Sequence, residues 1–118
     1  MRTTNAVGQY GEDLAAGYLV EQGFSILERN WRCDLGEVDI VAREGSCLVI
    51  CEVKTRRGVG YGNPLETITY RKLARLRQLA GRWLQEHEVH PEQVRIDVIG
   101  VISPPNGEVV VEHLRSVA

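Results

Sequence analysis

The pattern of apolar residues predicts a single α/β domain built on a mixed β-sheet of about five strands flanked by helices. Three observations carry that expectation. The chain has 118 residues, enough for one hydrophobic core and not for two. Apolar positions recur at three- and four-residue spacing in two segments and follow strand patterns in five others. Finally, the first three strands succeed one another through short turns, whereas the second helix separates two strands. That last arrangement is the crossover that parallel pairing requires. The order is helix, three strands, helix, two strands. With no linker, repeat or low-complexity stretch, residues 1–118 read as one unit.

Residues 4–22 place Val7, Tyr10, Leu14 and Tyr18 at helical spacing, with Gly11 and Ala15 beside them. Thr3 or Thr4 can cap the start, and Gly23 suits the stop. Gly8, Gly11 and Gly17 each cost such a helix about 1 kcal/mol relative to alanine, which points to a close approach by another element. Residues 24–33 read as a first, less regular strand. Residues 36–44 and 47–55 are two more, joined by Gly45-Ser46 in the pattern of a type II′ turn. Gly58 to Pro64 is a glycine-rich loop. Thr69 caps a long helix reaching about Glu88, with Leu73, Leu76, Leu79, Ala80, Trp83 and Leu84 on one face. Residues 93–102 form a mostly apolar strand. Pro104-Pro105-Asn106-Gly107 then turns into the last strand, 108–114.

Composition narrows the function. Hydrophobic residues make up 43% and charged residues 25%, ordinary globular usage. No apolar run approaches the ~20 residues of a membrane span, and no signal-peptide core follows Met1, so a cytoplasmic protein without membrane contact is expected. A net charge of -2 argues against a purely electrostatic nucleic-acid binder but leaves room for a local basic patch. Twelve of the basic residues are arginines; only Lys54 and Lys72 are lysines. Cys33, Cys47 and Cys51 lack metal or redox spacing, and sulfurs at 47 and 51 of one strand would stand ~13 Å apart. Three reduced, buried thiols are expected. His87 and His90 suit a helix C-terminus, and His113 suggests no role.

The hairpin register brings the chemistry together. With Gly45-Ser46 as the turn, Asp39 lies opposite Glu52 and Glu37 opposite Lys54. Alternation puts these four on one face with Val41, Ile50 and Leu48. It puts Val38, Ile40, Ala42, Val49, Cys51 and Val53 on the other, which needs a helix to cover it. Opposed carboxylates have β-carbons ~5 Å apart and repel, the more so among apolar neighbours. A lysine, a shared proton or a divalent cation can relieve this. Glu37, Asp39 and Glu52 against Lys54 leave the cluster about two charges too negative, a deficit that suits an oxygen-seeking dication such as Mg²⁺. Such an ion beside a lysine orients a phosphate and acidifies a bound water, so phosphodiester hydrolysis is the reaction class. Glu52-Val53-Lys54 alone is a weak motif, equally at home on a solvated strand.

The combination Gly36-Glu37-Val38-Asp39-Ile40-Val41-Ala42 and Cys51-Glu52-Val53-Lys54-Thr55-Arg56 resembles the D…E-x-K signature of PD-(D/E)xK nucleases. It is most similar to the small bacterial YraN-like family, itself similar to archaeal Holliday junction resolvases. The likeness takes in Gly8, Gly11, Glu12 and Ala15, the run Arg29-Asn30-Trp31-Arg32, the loop from Tyr61 to Glu66, and Lys72. It implies a restriction-endonuclease-like fold. It also implies metal ligation (Mg²⁺ or Mn²⁺) by Asp39, Glu52 and the Val53 carbonyl, with Lys54 helping to activate water. Val38 stands where the superfamily's name has proline. Glu12 is either a solvated helix glutamate or, as in the resolvases it resembles, an acid reaching into the cleft. Asp97, among apolar residues, is expected to pair with an arginine.

Nucleic acid would pass where the basic residues gather. Arg56 and Arg57 follow the E-x-K strand into the glycine-rich loop and are the favoured backbone contacts. Arg71, Arg75, Gln78 and Arg82 form a stripe on the long helix bordered by Lys72, either a solvated face or a further contact surface. Arg29, Trp31 and Arg32 could stack and bind phosphate, unless Trp31 is core. Nothing here reads base sequence, so the expected partner is branched or otherwise non-B-form DNA, with a homodimer suited to symmetric cutting. A non-cleaving binding module and an adaptor that binds no nucleic acid are the rival readings.

Overall fold

The computed structural model describes residues 6–57 and 68–118. They form α1 (Ala6–Glu21), β1 (Ser25–Cys33), β2 (Gly36–Glu44), β3 (Cys47–Arg57), α2 (Tyr70–Glu86), β4 (Gln93–Ser103) and β5 (Val110–Leu114). One sheet holds all five strands in chain order. The pairs β1–β2, β2–β3 and β4–β5 are antiparallel, and only β3 and β4, separated by α2, run parallel. This is the mixed α/β architecture expected. The glycine-rich loop and the Thr3/Thr4 cap lie outside the described residues.

Each face of the sheet is covered by one helix. On the α1 face, Ala15, Ala16 and Leu19 pack with Phe24, Ile40, Ala42, Val49, Cys51, Ile99 and Val101. On the α2 face, Leu76, Leu79, Ala80 and Trp83 pack with Trp31, Val38, Val41, Leu48, Ile50 and Ile96. Cys47 and Cys51 are buried and Cys33 only half-buried, all as free thiols. No helix among the described residues is long and apolar enough to cross a membrane.

The buried stripe of α1 differs from the one its large residues suggest. Gly11, Glu12, Ala15, Ala16 and Leu19 face inward, while Tyr10 is 47% exposed. Close packing explains the choice. A β-carbon at Gly11 would stand 1.9 Å from Thr55 Oγ1 of β3, so only the glycine surface lets the helix settle there. Gly23, at φ +93°, ends the helix, with Phe24 N–H donating to Leu19 O and Gly23 N–H to Val20 O. Gly45 takes φ +60° and Ser46 does not, as a type II′ turn requires. Thr69 Oγ1 accepts from Lys72 N–H and starts α2 as expected.

At the far end of the sheet from this turn of α1, Asp97 is fully buried and fully partnered. It accepts from Arg95 Nε (3.0 Å), pairs with His113 Nε2 (2.7 Å) and accepts from Ser116 N–H (2.9 Å). The arginine partner was expected. The histidine was not: His113 also meets Tyr18 Oη of α1 at 3.0 Å, tying helix, β4 and β5 together. Although burial opposes ionisation, His113, Arg95 and the Ser116 N–H hold Asp97 below its ordinary value.

Two glycines of α1 should therefore respond oppositely to alanine. Gly11→Ala is expected to destabilise by about 1–3 kcal/mol through overpacking. Gly17→Ala, with nothing within 4 Å of the new methyl, should stabilise by about 0.5–1 kcal/mol. Denaturant unfolding of the two variants beside wild type checks both signs.

Candidate functional site

The site begins where two strands part. β2 and β3 pair from Glu44↔Cys47 to Ile40↔Cys51, in the register the two-residue turn demands. The backbone ladder then stops, one step before Asp39 and Glu52. In its place Val53 N–H donates to Asp39 Oδ2 at 2.8 Å, so a side chain takes the donor that a continued ladder would have given to the backbone of β2.

The neighbouring strand β1 is irregular at the same level. Asn30 adopts φ +53°, a left-handed conformation that asparagine tolerates better than most residues. Glu28 and Trp31 both reach the α2 side, by a hydrogen bond to Trp83 and by packing, while Arg29 between them reaches Glu12 of α1. On the paired strand Val38 and Val41 both pack on α2 and Ile40 on α1. Alternation thus slips at the same level in both strands. This corrects the expected face map: Val38 joins the α2 core, and Asp39 does not share a face with Val41. Glu37 does not oppose Lys54 either; it is exposed and pairs with Arg32 of β1 at 3.2 Å.

An open cavity of about 310 Å³ results, lined by Val7 and Gly8 of α1 and by Glu12, Asp39, Val53, Lys54 and Thr55. Glu12 is buried, not solvated. Its Oε1 accepts from Arg29 Nε at 3.1 Å and from Asn30 Nδ2 at 2.9 Å, and Arg29 also holds Asp13 at 2.6 Å. Asn30 is the residue sequence reasoning undervalued. Its signal was an asparagine, a residue that tolerates the left-handed conformation, inside a strand.

Asp39 and Glu52 lie close enough for the charge of one to act on the other. Burial, then the hydrogen bond to Glu52 and its charge, with a smaller push from Glu12, raise Asp39 to about 7 against the pull of the Val53 N–H. Glu52 is 7% exposed. Its Oε2 is buried and accepts no well-aligned hydrogen bond, and Lys72 Nζ of α2 stands 2.8 Å from it as an ion pair. Of the two lysines, Lys72 of α2 pairs with Glu52, and Lys54 lines the cavity with Asp39.

The other basic candidates are placed variously. Arg56 is half-buried and Arg57 exposed at the end of β3, and Arg71 and Arg75 are exposed on the first turns of α2. Arg75 Nη1 donates to Leu35 O at 3.4 Å, and Arg82 is held by Asp34 and Glu86, so the lower stripe ties α2 to the β1–β2 turn. Arg32 is engaged by Glu37, and Trp31 is core. Among the described residues, no three carboxylate, imidazole or thiol groups gather closely enough to hold an ion by side chains alone.

The model of an uncharacterised protein family, UPF0102, matches residues 11–101. This chain belongs to the UPF0102 family. The matched stretch contains Glu12, Asp39, Glu52, Lys54 and Lys72, and the membership agrees with the YraN-like resemblance. A UPF0102 protein of Kineococcus radiotolerans is 53% identical over 119 residues, covering 100% of this chain and 98% of its own. One from Streptomyces coelicolor is 53% identical over 120 residues, covering 100% and 92%. Both likenesses span the whole fold.

The raised Asp39 makes stability fall with pH. The folded chain keeps a proton that an unfolded carboxyl, at its ordinary 3.8, releases. This group's contribution is fully present below about pH 4 and is lost as pH rises through about 7. Asp39→Asn keeps an oxygen for Val53 N–H but cannot ionise. In chelator at pH 8 it should unfold later than wild type by about 2–4 kcal/mol, and at pH 4 by little. Denaturant melts at the two pH values measure the difference.

Proposed function

We propose that this protein is a Mg²⁺- or Mn²⁺-dependent nuclease that hydrolyses DNA phosphodiesters, selecting branched or otherwise non-B-form structure rather than sequence. The observation that carries the reading is the proximity of Asp39, which lines an open cavity, to the buried Glu52, whose Oε2 is met by a half-exposed lysine and accepts no well-aligned hydrogen bond. A fold meeting only its own needs partners such an acid, as it does Asp97.

The donor set fits a hard dication. Asp39 and Glu52 supply carboxylate oxygens. Val53, whose N–H reaches Asp39, turns its carbonyl to the same edge of β3. Two carboxylates and a carbonyl, with the remaining positions left to water and phosphate, is how Mg²⁺ is commonly held. A dication bound there would lower the pKa of a water and offset charge on a phosphate. The chain's own residues do the rest. Lys54 lines the same cavity as Asp39, and its ammonium would position a phosphate oxygen or the attacking water. Glu12, locked by Arg29 and Asn30, fixes a negative charge on the opposite wall and keeps that geometry taut.

DNA as substrate rests on where the cations lie. Arg56 and Arg57 extend β3 past Lys54, and Arg71 and Lys72 stand on the first turn of α2, which the Lys72–Glu52 contact brings to the site. Two basic elements thus flank the pair Asp39 and Glu52, one continuing β3 and one on α2, and contacts of this kind hold backbone phosphate rather than read bases. With a net charge of -2, binding should weaken steeply with salt.

Linear, flapped and four-way DNA with Mg²⁺ or Mn²⁺ test the proposal. Cleavage of the branched substrates is expected, lost in chelator and reduced about 10²–10³-fold by Lys54→Ala with folding intact. Salt-sensitive DNA binding with no cleavage of any substrate would overturn the hydrolytic reading, and absence of DNA binding at low salt would overturn the whole of it.

A further inference from the structure

Lys72 was expected only as a phosphate contact, yet its ammonium lies on Glu52. Oε2 of Glu52 is buried, its nearest cation is Lys72 Nζ at 2.8 Å, and it accepts no well-aligned hydrogen bond. The two partners differ in setting: the Lys72 side chain is 42% exposed and that of Glu52 only 9%. The lysine therefore reaches in from the solvent side along a flexible stem. Its backbone is fixed, because Lys72 N–H is the donor to the Thr69 cap, so the ammonium can withdraw without moving the helix.

We infer that Lys72 and a divalent cation are alternative partners of Glu52, so that the ammonium must leave Oε2 for the ion to bind. This rests on the reading of Asp39 and Glu52 as a dication site. Two charges of the same sign, one of them double, cannot share one buried carboxylate oxygen without strong repulsion. A lysine suits such an exchange better than an arginine. It is a compact, strongly hydrated point charge on rotatable bonds, whereas a guanidinium would fork onto the carboxylate and stay. In a chain with twelve arginines and two lysines, this position is a lysine. The released ammonium, on the first turn of α2 and already half-exposed, becomes a free cation for a phosphate. Metal uptake and phosphate binding are thereby coupled through one side chain.

Mn²⁺ titration calorimetry of the full chain, without DNA and at one pH, tests this on wild type, Lys72→Gln and Lys72→Arg. Lys72→Gln should bind Mn²⁺ about tenfold more tightly, the size of one charge-assisted contact removed from the competition. Lys72→Arg should bind no more tightly than wild type. Amine labelling followed by mass spectrometry gives a second readout on the unaltered protein: Mn²⁺ should increase modification of Lys72. Wild type that binds Mn²⁺ while Lys72→Gln binds it equally or more weakly would overturn the inference and leave the dication site standing. So would Lys72 labelling that Mn²⁺ leaves unchanged, and this arm decides alone if the glutamine variant does not fold. Mn²⁺ uptake by neither wild type nor Lys72→Gln would instead remove the dication site itself.

Discussion

The parting of β2 from β3 at Asp39 is the constraint on which the rest of the site depends. Up to Ile40 and Cys51 the strands exchange backbone hydrogen bonds, and the apolar alternation seals both cores. One residue further, the carboxylate replaces the backbone as acceptor for Val53 N–H. That substitution keeps a buried donor satisfied while letting the strands diverge. The cavity lies beside this divergence, and the neighbouring strand is irregular at the same level, where Asn30 is left-handed. The same Asn30 side chain holds Glu12, one of the cavity's walls.

Much of this was legible before any coordinates. The Gly45-Ser46 turn set the hairpin register, and register alone placed Asp39 level with Glu52. Thr69 and Gly23 marked helix ends because each answers a specific backbone need: an acceptor for a free N–H, and a positive φ. Where the reading slipped, strict two-residue alternation was the cause. It put Val38 on the wrong face and set Glu37 against Lys54, because alternation cannot register a twist at Asn30 that is driven by contacts with another helix. The α1 stripe slipped for a related reason. Large apolar residues advertise a buried face only when the neighbour leaves room for them, and Thr55 of β3 leaves room for nothing larger than glycine.

Glu12, Glu52 and Asp97 are all buried, and their surroundings distinguish what they do. Asp97 has an arginine, a histidine and a backbone N–H arranged around both oxygens, and that environment favours its charge. It is finished, and it serves to join α1 to the end of the sheet through His113 and Tyr18. Glu12 is likewise anchored by Arg29 and Asn30, yet it lines the cavity. Glu52 is different in kind. It faces a second acid whose ionisation burial and the Glu52 charge oppose, and its Oε2 rests on a lysine that comes in from solvent.

An arrangement of that sort stabilises the fold poorly. Removing two carboxyls from water costs several kcal/mol unless each is well paired, and replacing such a pair by apolar residues is often neutral or stabilising. The hairpin has apolar alternatives at hand on both sides, since Val38, Ile40, Ile50 and Cys51 flank the acids and pack without difficulty. On the proposed reading, what the acids contribute is chemical. A proton on Asp39, an ammonium on Glu52 and a divalent ion between them are three ways of meeting one electrostatic need. They differ in what they leave free. A proton leaves the cavity inert, and the Lys72 ammonium leaves it closed on itself. A dication, on the proposed reading, would use both carboxylates, keep positions open to water and phosphate, and return Lys72 to the solvent side.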